Sequence, residues 1–314
     1  MSNPIKSILD DFPVVILDGA LATELEKRGC NLNDSLWSAK ILANNPEIIE
    51  NVHYDYFVSG SDCAITSSYQ ATIDGFMKNG FPRDKAKDLI RNSVAIAKKA
   101  RDRFWGNPTN RRNRAKPFIA GSVGPYGAYL ADGSEYRGDY KIDENALIKF
   151  HKSNVKLLIE AGADILACET IPNLTEARAI VKLLEEFPGV YAWISFSCKN
   201  DYEISDGTPI FECAKVLNSC KNIAAIGVNC TSPKYINSLI KEIKKASDKP
   251  IIVYPNSGEE YDANTKTWHG ASSSNAFSIS AKEWFENGAS VIGGCCRTTP
   301  SDINATYKIL KNID

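Results

Sequence analysis

Eight times along the chain an apolar, β-branched run is followed by a longer segment of helical period, and this alternation restricts the fold more than any other feature. The runs are VVILDGA (14–20), CAITSSY (63–69), PFIAGSVGP (117–125), DILACETIP (164–172), YAWISFSC (191–198), IAAIGVNC (223–230), PIIVYPNS (250–257) and SVIGGCC (290–296). Strands that are apolar almost without interruption need cover on both faces, which points to a parallel sheet. Eight βα units in 314 residues suit a (β/α)8 TIM barrel better than an open doubly wound sheet, which has fewer strands. The expectation is an α/β chain forming one barrel domain over residues 1–314.

The helical segments carry matching punctuation. Ser232–Pro233 and Thr299–Pro300 place a capping residue and a first-turn proline just after a strand, and Gly60, Gly162 and Gly288 stop helices just before one. Three inserts interrupt the rhythm: residues 101–116, 126–144 and 258–275. The last two follow strands, on the side where barrels build active sites, and are candidate lids. The first contains RRNR at 111–114 and precedes its strand, so it is expected on the opposite face as a solvated loop.

A net charge of -1 gives no global attraction to nucleic acid or membrane. No run approaches the roughly 18 apolar residues of a membrane span, and the first residues lack the pattern of a secretory leader, so a cytoplasmic protein is expected. Nine cysteines, an odd number without regular spacing, fit reduced thiols rather than a disulfide framework.

In a barrel the polar residues at strand carboxyl ends converge on one mouth. Here they are Asp18, Thr66 to Tyr69, Ser122, Glu169, Ser195, Ser197, Asn229, Cys230, Asn256, Cys295 and Cys296. Cysteines end both the sixth and the eighth strand. Three thiolates at one mouth make a soft cage for zinc with a fourth position open, and Gly293 and Gly294 permit the sharp turn that lets adjacent ligands share an ion. Pattern alone leaves open whether these are ligands or small buried hydrophobes. Cys30, Cys63, Cys168, Cys198, Cys213 and Cys220 have no matching pair and are read as packing residues.

LDGALATEL near the start, ACETIP in the middle, GVNC and the closing GGCC resemble the homocysteine S-methyltransferases, zinc-dependent barrel enzymes that make methionine. The resemblance runs from about residue 12 to the end. It implies Cys230, Cys295 and Cys296 as zinc ligands and catalytic centre, Asp18 and Glu169 as holders of the homocysteine amino group, and Gly19 with Ser67 near its carboxylate. It also implies that a methyl group passes from a cationic sulfonium donor to zinc-bound homocysteine thiolate. Eighteen residues follow Cys296, room for a last helix without a cobalamin domain or the extension of betaine-using relatives. S-methylmethionine is thus expected first as donor and S-adenosylmethionine second.

The reaction needs no histidine base, because a sulfonium leaves as a neutral thioether. Consistent with this, none of His53, His151 and His269 ends a strand; His269, beside Trp268 in the third insert, is a candidate substrate contact. Trp37, Tyr69 and Tyr126 are candidates for cation–π contact with the donor. Alternatives are a selenocysteine acceptor, a non-catalytic zinc or sulfur-amino-acid binding barrel, a thiol oxidoreductase closing Cys295 on Cys296, and a glycosidase using Asp18 and Glu169.

Overall fold

The structure is a computed structural model that describes residues 2–31, 38–258, 260–262, 267–269 and 273–311. Seven strands lead the chain order: β1 (Val15–Ile16), β2 (Cys63–Ile65), β3 (Phe118–Val123), β4 (Ile165–Ile171), β5 (Ala192–Phe196), β6 (Ile223–Asn229) and β7 (Ile251–Tyr254). A hairpin of β8 (Glu260–Asp262) and β9 (Thr267–His269) comes next, then β10 (Ala289–Ile292). All but the hairpin pair in parallel in one sheet ordered β1-β10-β7-β6-β5-β4-β3-β2. The eight expected strands are therefore all present, as a nearly closed (β/α)8 barrel.

The remaining junction, between β1 and β2, is a seam made largely by side chains. Asp62 N–H donates to Ile16 O (2.6 Å), Ile16 N–H donates to Asp62 Oδ2 (3.0 Å), and Ile65 N–H donates to Asp18 Oδ2 (2.9 Å). Two carboxylates thus stand in for part of a ladder, and both are buried.

Alternation along the strands produces two cores. Leu17, Ala120, Ala167, Trp193, Ala225, Ile252 and Val291 fill the barrel interior. Ile16, Ile119, Leu166, Ile194, Ile226 and Val253 meet the surrounding helices. A short helix, Pro4–Leu9, inserts Ile5 and Ile8 into the inner core, with Asn3 Oδ1 accepting from the N–H groups of Ile5 and Lys6. A helix of six residues is too short to give a periodic signal in the sequence. Gly60, Gly162 and Gly288 adopt φ of 116°, 82° and 118°, as helix-stopping glycines do.

Several local expectations change. The helix Arg83–Gly106 runs into the first insert, which continues as a 3-10 turn, Pro108–Arg111. Arg114 is not solvated: its side chain is 7% exposed, donates to Phe57 O and Ser61 O, and lies 3.9 Å from Asp62 Oδ1 at the closed end of the barrel. Ser232 makes no side-chain cap, because the chain there begins with a 3-10 turn, Pro233–Tyr235, before the helix Ile236–Ala246. Thr299 caps as expected, exchanging hydrogen bonds with Asp302. No described helix is long and apolar enough to cross a membrane.

Candidate metal centre and substrate site

The three cysteines meet. Cys230 Sγ lies 2.6 Å from Cys295 Sγ and 3.8 Å from Cys296 Sγ, and all three sulfurs lie within 4.8 Å of one another. Sulfurs sharing one tetrahedral zinc at 2.3 Å stand roughly 3.8 Å apart, so the Cys230–Cys296 spacing already fits such an ion and the Cys230–Cys295 pair would open to reach it. Hydrogen bonds from Cys230 and Cys295 pull the Cys296 thiol well below the usual range, while the hydrogen bond with Cys230 and burial push Cys295 up. Three sulfurs so placed are a donor set suited to a soft divalent cation.

The backbone that presents these sulfurs is unusual. Cys230 (φ 46°) and Arg297 (φ 68°) are left-handed without being glycine, as is Thr170 (φ 59°) beside Glu169; three of the five such residues described thus border the site, where strained backbone is often found. Neither Gly293 nor Gly294 has a positive φ. They permit close approach instead: a Cβ on Gly293 would lie 2.5 Å from Leu17 Cβ, and one on Gly294 would collide with the Thr298 side chain. Cys295 N–H donates to Pro255 O (2.7 Å), Gly294 N–H to Asp18 O (3.1 Å) and Ala20 N–H to Thr298 Oγ1 (3.2 Å), which lace the ends of β1, β7 and β10 together. Gly19 belongs to this packing, since a Cβ there would sit 2.9 Å from Thr298 Oγ1 and from Tyr56 OH.

Beside the sulfurs are two buried carboxylates. Burial pushes Asp18 well above the usual carboxylate range against its hydrogen bond from Ile65 N–H, and the charge of Glu169 adds to the rise. Glu169 is pushed up to about 7, again chiefly by burial and opposed by Ser122, whose hydroxyl donates to Glu169 Oε1 at 2.5 Å. Ser122 is itself set by a small network: its N–H donates to Thr66 Oγ1 (2.9 Å), and its carbonyl accepts from Ser68 Oγ (2.8 Å). Two buried carboxylates whose charges repel are a ready site for an ammonium group. Ser67 Oγ and Asn256 Oδ1 are buried without a hydrogen-bond partner, and so are available to a ligand.

Asn229 does not face the open mouth. Its Oδ1 accepts from Thr170 N–H (2.7 Å) and its Nδ2 donates to Thr170 Oγ1 (2.8 Å), across a break in the β4–β5 register between Cys168 and Ile171. The bulge turns the Glu169 end of β4, and Asn229 satisfies the polar groups it frees. Ser195 supports rather than lines the site, through a 2.5 Å hydrogen bond to the Tyr254 hydroxyl, which also accepts from Trp193 Nε1 (3.0 Å).

Of the aromatic candidates, Tyr69 lies near Cys230, whose charge contributes to raising its phenol after burial. Tyr126 packs with Tyr129, Tyr140 and Phe150, at ring separations of 5.8, 5.5 and 5.1 Å, and takes the packing role. Trp37 and the side chain of His269 lie outside the described residues. Neither His53 nor His151 ends a strand, as expected; both are buried helix residues, with His151 Nε2 2.7 Å from Glu176 Oε1. Cys63, Cys168 and Cys213 are buried packing residues. Sequence reasoning missed Tyr254, which only a confident strand boundary would have turned inward, and Glu135 and Tyr136, hidden in an insert of irregular structure.

The sequence matches the family model described as homocysteine S-methyltransferase over residues 15–310. It is 62% identical over 301 residues to the Bacillus subtilis homocysteine S-methyltransferase YbgG, covering 96% of each chain. It is also 44% identical to a selenocysteine methyltransferase of Astragalus bisulcatus, over 99% of this chain and 97% of that one. Among solved structures it resembles the metallated form of the Escherichia coli homocysteine methyltransferase MmuM, with a TM-score of 0.87 and 44% identity over 97% of this chain and 99% of that one. The fold, the cysteine cluster and these likenesses agree: the chain belongs to the homocysteine S-methyltransferase family.

Proposed function

We propose that the protein transfers a methyl group from a sulfonium donor, S-methylmethionine first and S-adenosylmethionine second, to the thiol of homocysteine, forming methionine. The observation that carries this reading is the convergence of Cys230, Cys295 and Cys296 within 4.8 Å beside two buried carboxylates at the barrel mouth. The three sulfurs would hold zinc, which when bound favours the thiolate form of an incoming thiol. A free thiol near pKa 8.5 is only a few per cent ionised at pH 7, a deficit of roughly 2 kcal/mol.

The chain's own groups supply the rest. Asp18 and Glu169 bind the homocysteine ammonium; Ser67 and the backbone near Gly19 serve its carboxylate. The acceptor sulfur forms its bond to the methyl carbon as the donor S–CH₃ bond breaks, the pair returning to a sulfur that leaves as a neutral thioether. The acceptor proton is lost to solvent beforehand, so no side chain has to protonate a leaving group. The homocysteine-binding unit is the barrel domain itself, and nine free cysteines suit the cytoplasm.

The test is methionine formation from homocysteine and S-methylmethionine, with metal analysis of reduced protein. About one zinc per chain and turnover are expected. Cys230→Ser should lose both, and full activity in that variant would end the assignment. Zinc binding without turnover would favour a binding barrel.

A further inference from the structure

The segment between β3 and the helix Glu144–Glu160 brings two side chains to the barrel mouth, Glu135 and Tyr136. The segment is braced at both ends on one buried residue: Tyr126 N–H donates to Glu176 Oε1 (2.7 Å), and the Tyr140 hydroxyl donates to Glu176 Oε2. Its centre is a 3-10 turn, Ser134–Tyr136, fixed by Ser134 N–H to Asp132 Oδ1 (2.9 Å) and Gly138 N–H to Ser134 O (2.8 Å). The turn is tied to the barrel mouth by Ser197 Oγ, which donates to Glu135 O at 2.8 Å from just beyond β5. Gly127 lies so close beneath that a Cβ there would be 2.5 Å from Glu135 N. The turn is therefore rigid, and what it presents is preorganised.

Glu135 Oε2 is buried with no hydrogen-bond partner, while the Tyr136 side chain is 48% exposed, one of six large apolar or aromatic side chains so open among the described residues. Both stand close enough to Cys230 to interact with it electrostatically. A buried unpaired carboxylate oxygen calls for a partner, and an exposed ring beside an anionic cluster is suited to a cation.

We propose that Glu135 and Tyr136 form the subsite for the methyl donor and select an onium cation, the Tyr136 ring meeting the methylated centre and the Glu135 carboxylate its positive charge. The assignment rests on the methyltransferase reading and adds to it which residues receive the second substrate. Asp18 and Glu169 already serve the acceptor's ammonium, so a second charged amino acid needs a carboxylate of its own. A neutral methyl donor would leave Glu135 without a counter-ion.

The experiment uses the full zinc-loaded chain and measures calorimetric binding of S-methylmethionine without homocysteine, alongside steady-state kinetics. Glu135→Gln and Tyr136→Leu should each weaken S-methylmethionine binding and raise its KM by about tenfold, the worth of one such contact, with homocysteine KM and zinc content within about twofold of wild type. Tyr136→Phe, which keeps the ring and loses only the hydroxyl that reaches Cys230, should keep donor binding near wild type. Donor binding unchanged in both Glu135→Gln and Tyr136→Leu would overturn the proposal; so would equal losses for both substrates, which would mean that the turn only shapes the mouth. Wild-type turnover tests the methyltransferase reading separately, because the binding comparison does not depend on it.

Discussion

Replacing Asn229 by alanine tests how Glu169 is aimed. Asn229 is 1% exposed, and its amide makes both of the hydrogen bonds, at 2.7 and 2.8 Å, that hold Thr170 at φ 59°. The substitution leaves the buried Thr170 N–H without a partner, at about 1–3 kcal/mol, and removes a second hydrogen bond worth about 1 kcal/mol. The total is roughly 3 kcal/mol. At roughly 2 °C per kcal/mol for a chain this long, melting should fall by about 6 °C. A glycine at position 170 in the same background should recover about 1 kcal/mol, because the left-handed conformation is then free of a β-branched side chain. The loosened bulge also releases Glu169, so homocysteine KM should rise roughly tenfold, the effect of about 1.4 kcal/mol, with zinc retained. Urea unfolding, metal analysis and initial rates read these three quantities. Stability within about 0.5 kcal/mol of wild type together with an unchanged homocysteine KM would refute the reasoning; loss of zinc in place of homocysteine affinity would assign Asn229 to Cys230 rather than to Glu169.

Other perturbations separate binding from folding. Glu169→Ala should weaken homocysteine binding by roughly 10- to 100-fold, the range of a charge-assisted hydrogen bond, with zinc unchanged; metal loss would show its role misassigned. His53 is buried with both ring nitrogens unpartnered, and burial lowers it from 6.5 to about 4. The unfolded chain therefore binds the extra proton between those values, so stability falls as pH drops from 6.5 to 4, by about 3 kcal/mol. His53→Leu should flatten that part of the urea-derived stability profile, and an unchanged slope would mean that the ring finds a partner when protonated. Lys311 Nζ lies 3.0 Å from Asp62 Oδ2, with both side chains buried. Lys311→Met should cost roughly 3 kcal/mol by leaving that carboxylate to Arg114, yet leave methionine formation at 25 °C unaltered, since the pair lies at the end remote from the sulfurs.

The strands were legible because each is a nearly unbroken apolar run, and the site because strand ends must converge once the barrel closes. That rule placed Cys230, Cys295, Cys296, Asp18 and Glu169 at one mouth, where the structure gathers them. The failures share a cause: they concern side chains whose direction depends on a neighbour distant in sequence. RRNR looks like a solvated run, yet Arg114 turns inward because Asp62 lies behind it. Gly293 and Gly294 were read for the turn they permit, and nothing local shows that Leu17 and Thr298 also leave no room there for a side chain. Asn229 ends a strand like a site residue, but the bulge in β4 claims its amide. Glu135 and Tyr136 follow no period, and nothing local distinguishes them from other polar loop residues.

The seam between β1 and β2 has a consequence for motion. Every other pair of staves is laced by parallel backbone bonds, whereas this one relies on Asp18 and Asp62, so spontaneous breathing of the cylinder should concentrate there. Deuterium should enter the Ile16 and Ile65 amides sooner than it enters those of the inner staves. An amino acid whose ammonium settles on Asp18 would fasten the same clasp, and its arrival should be felt as slower exchange along the whole gap.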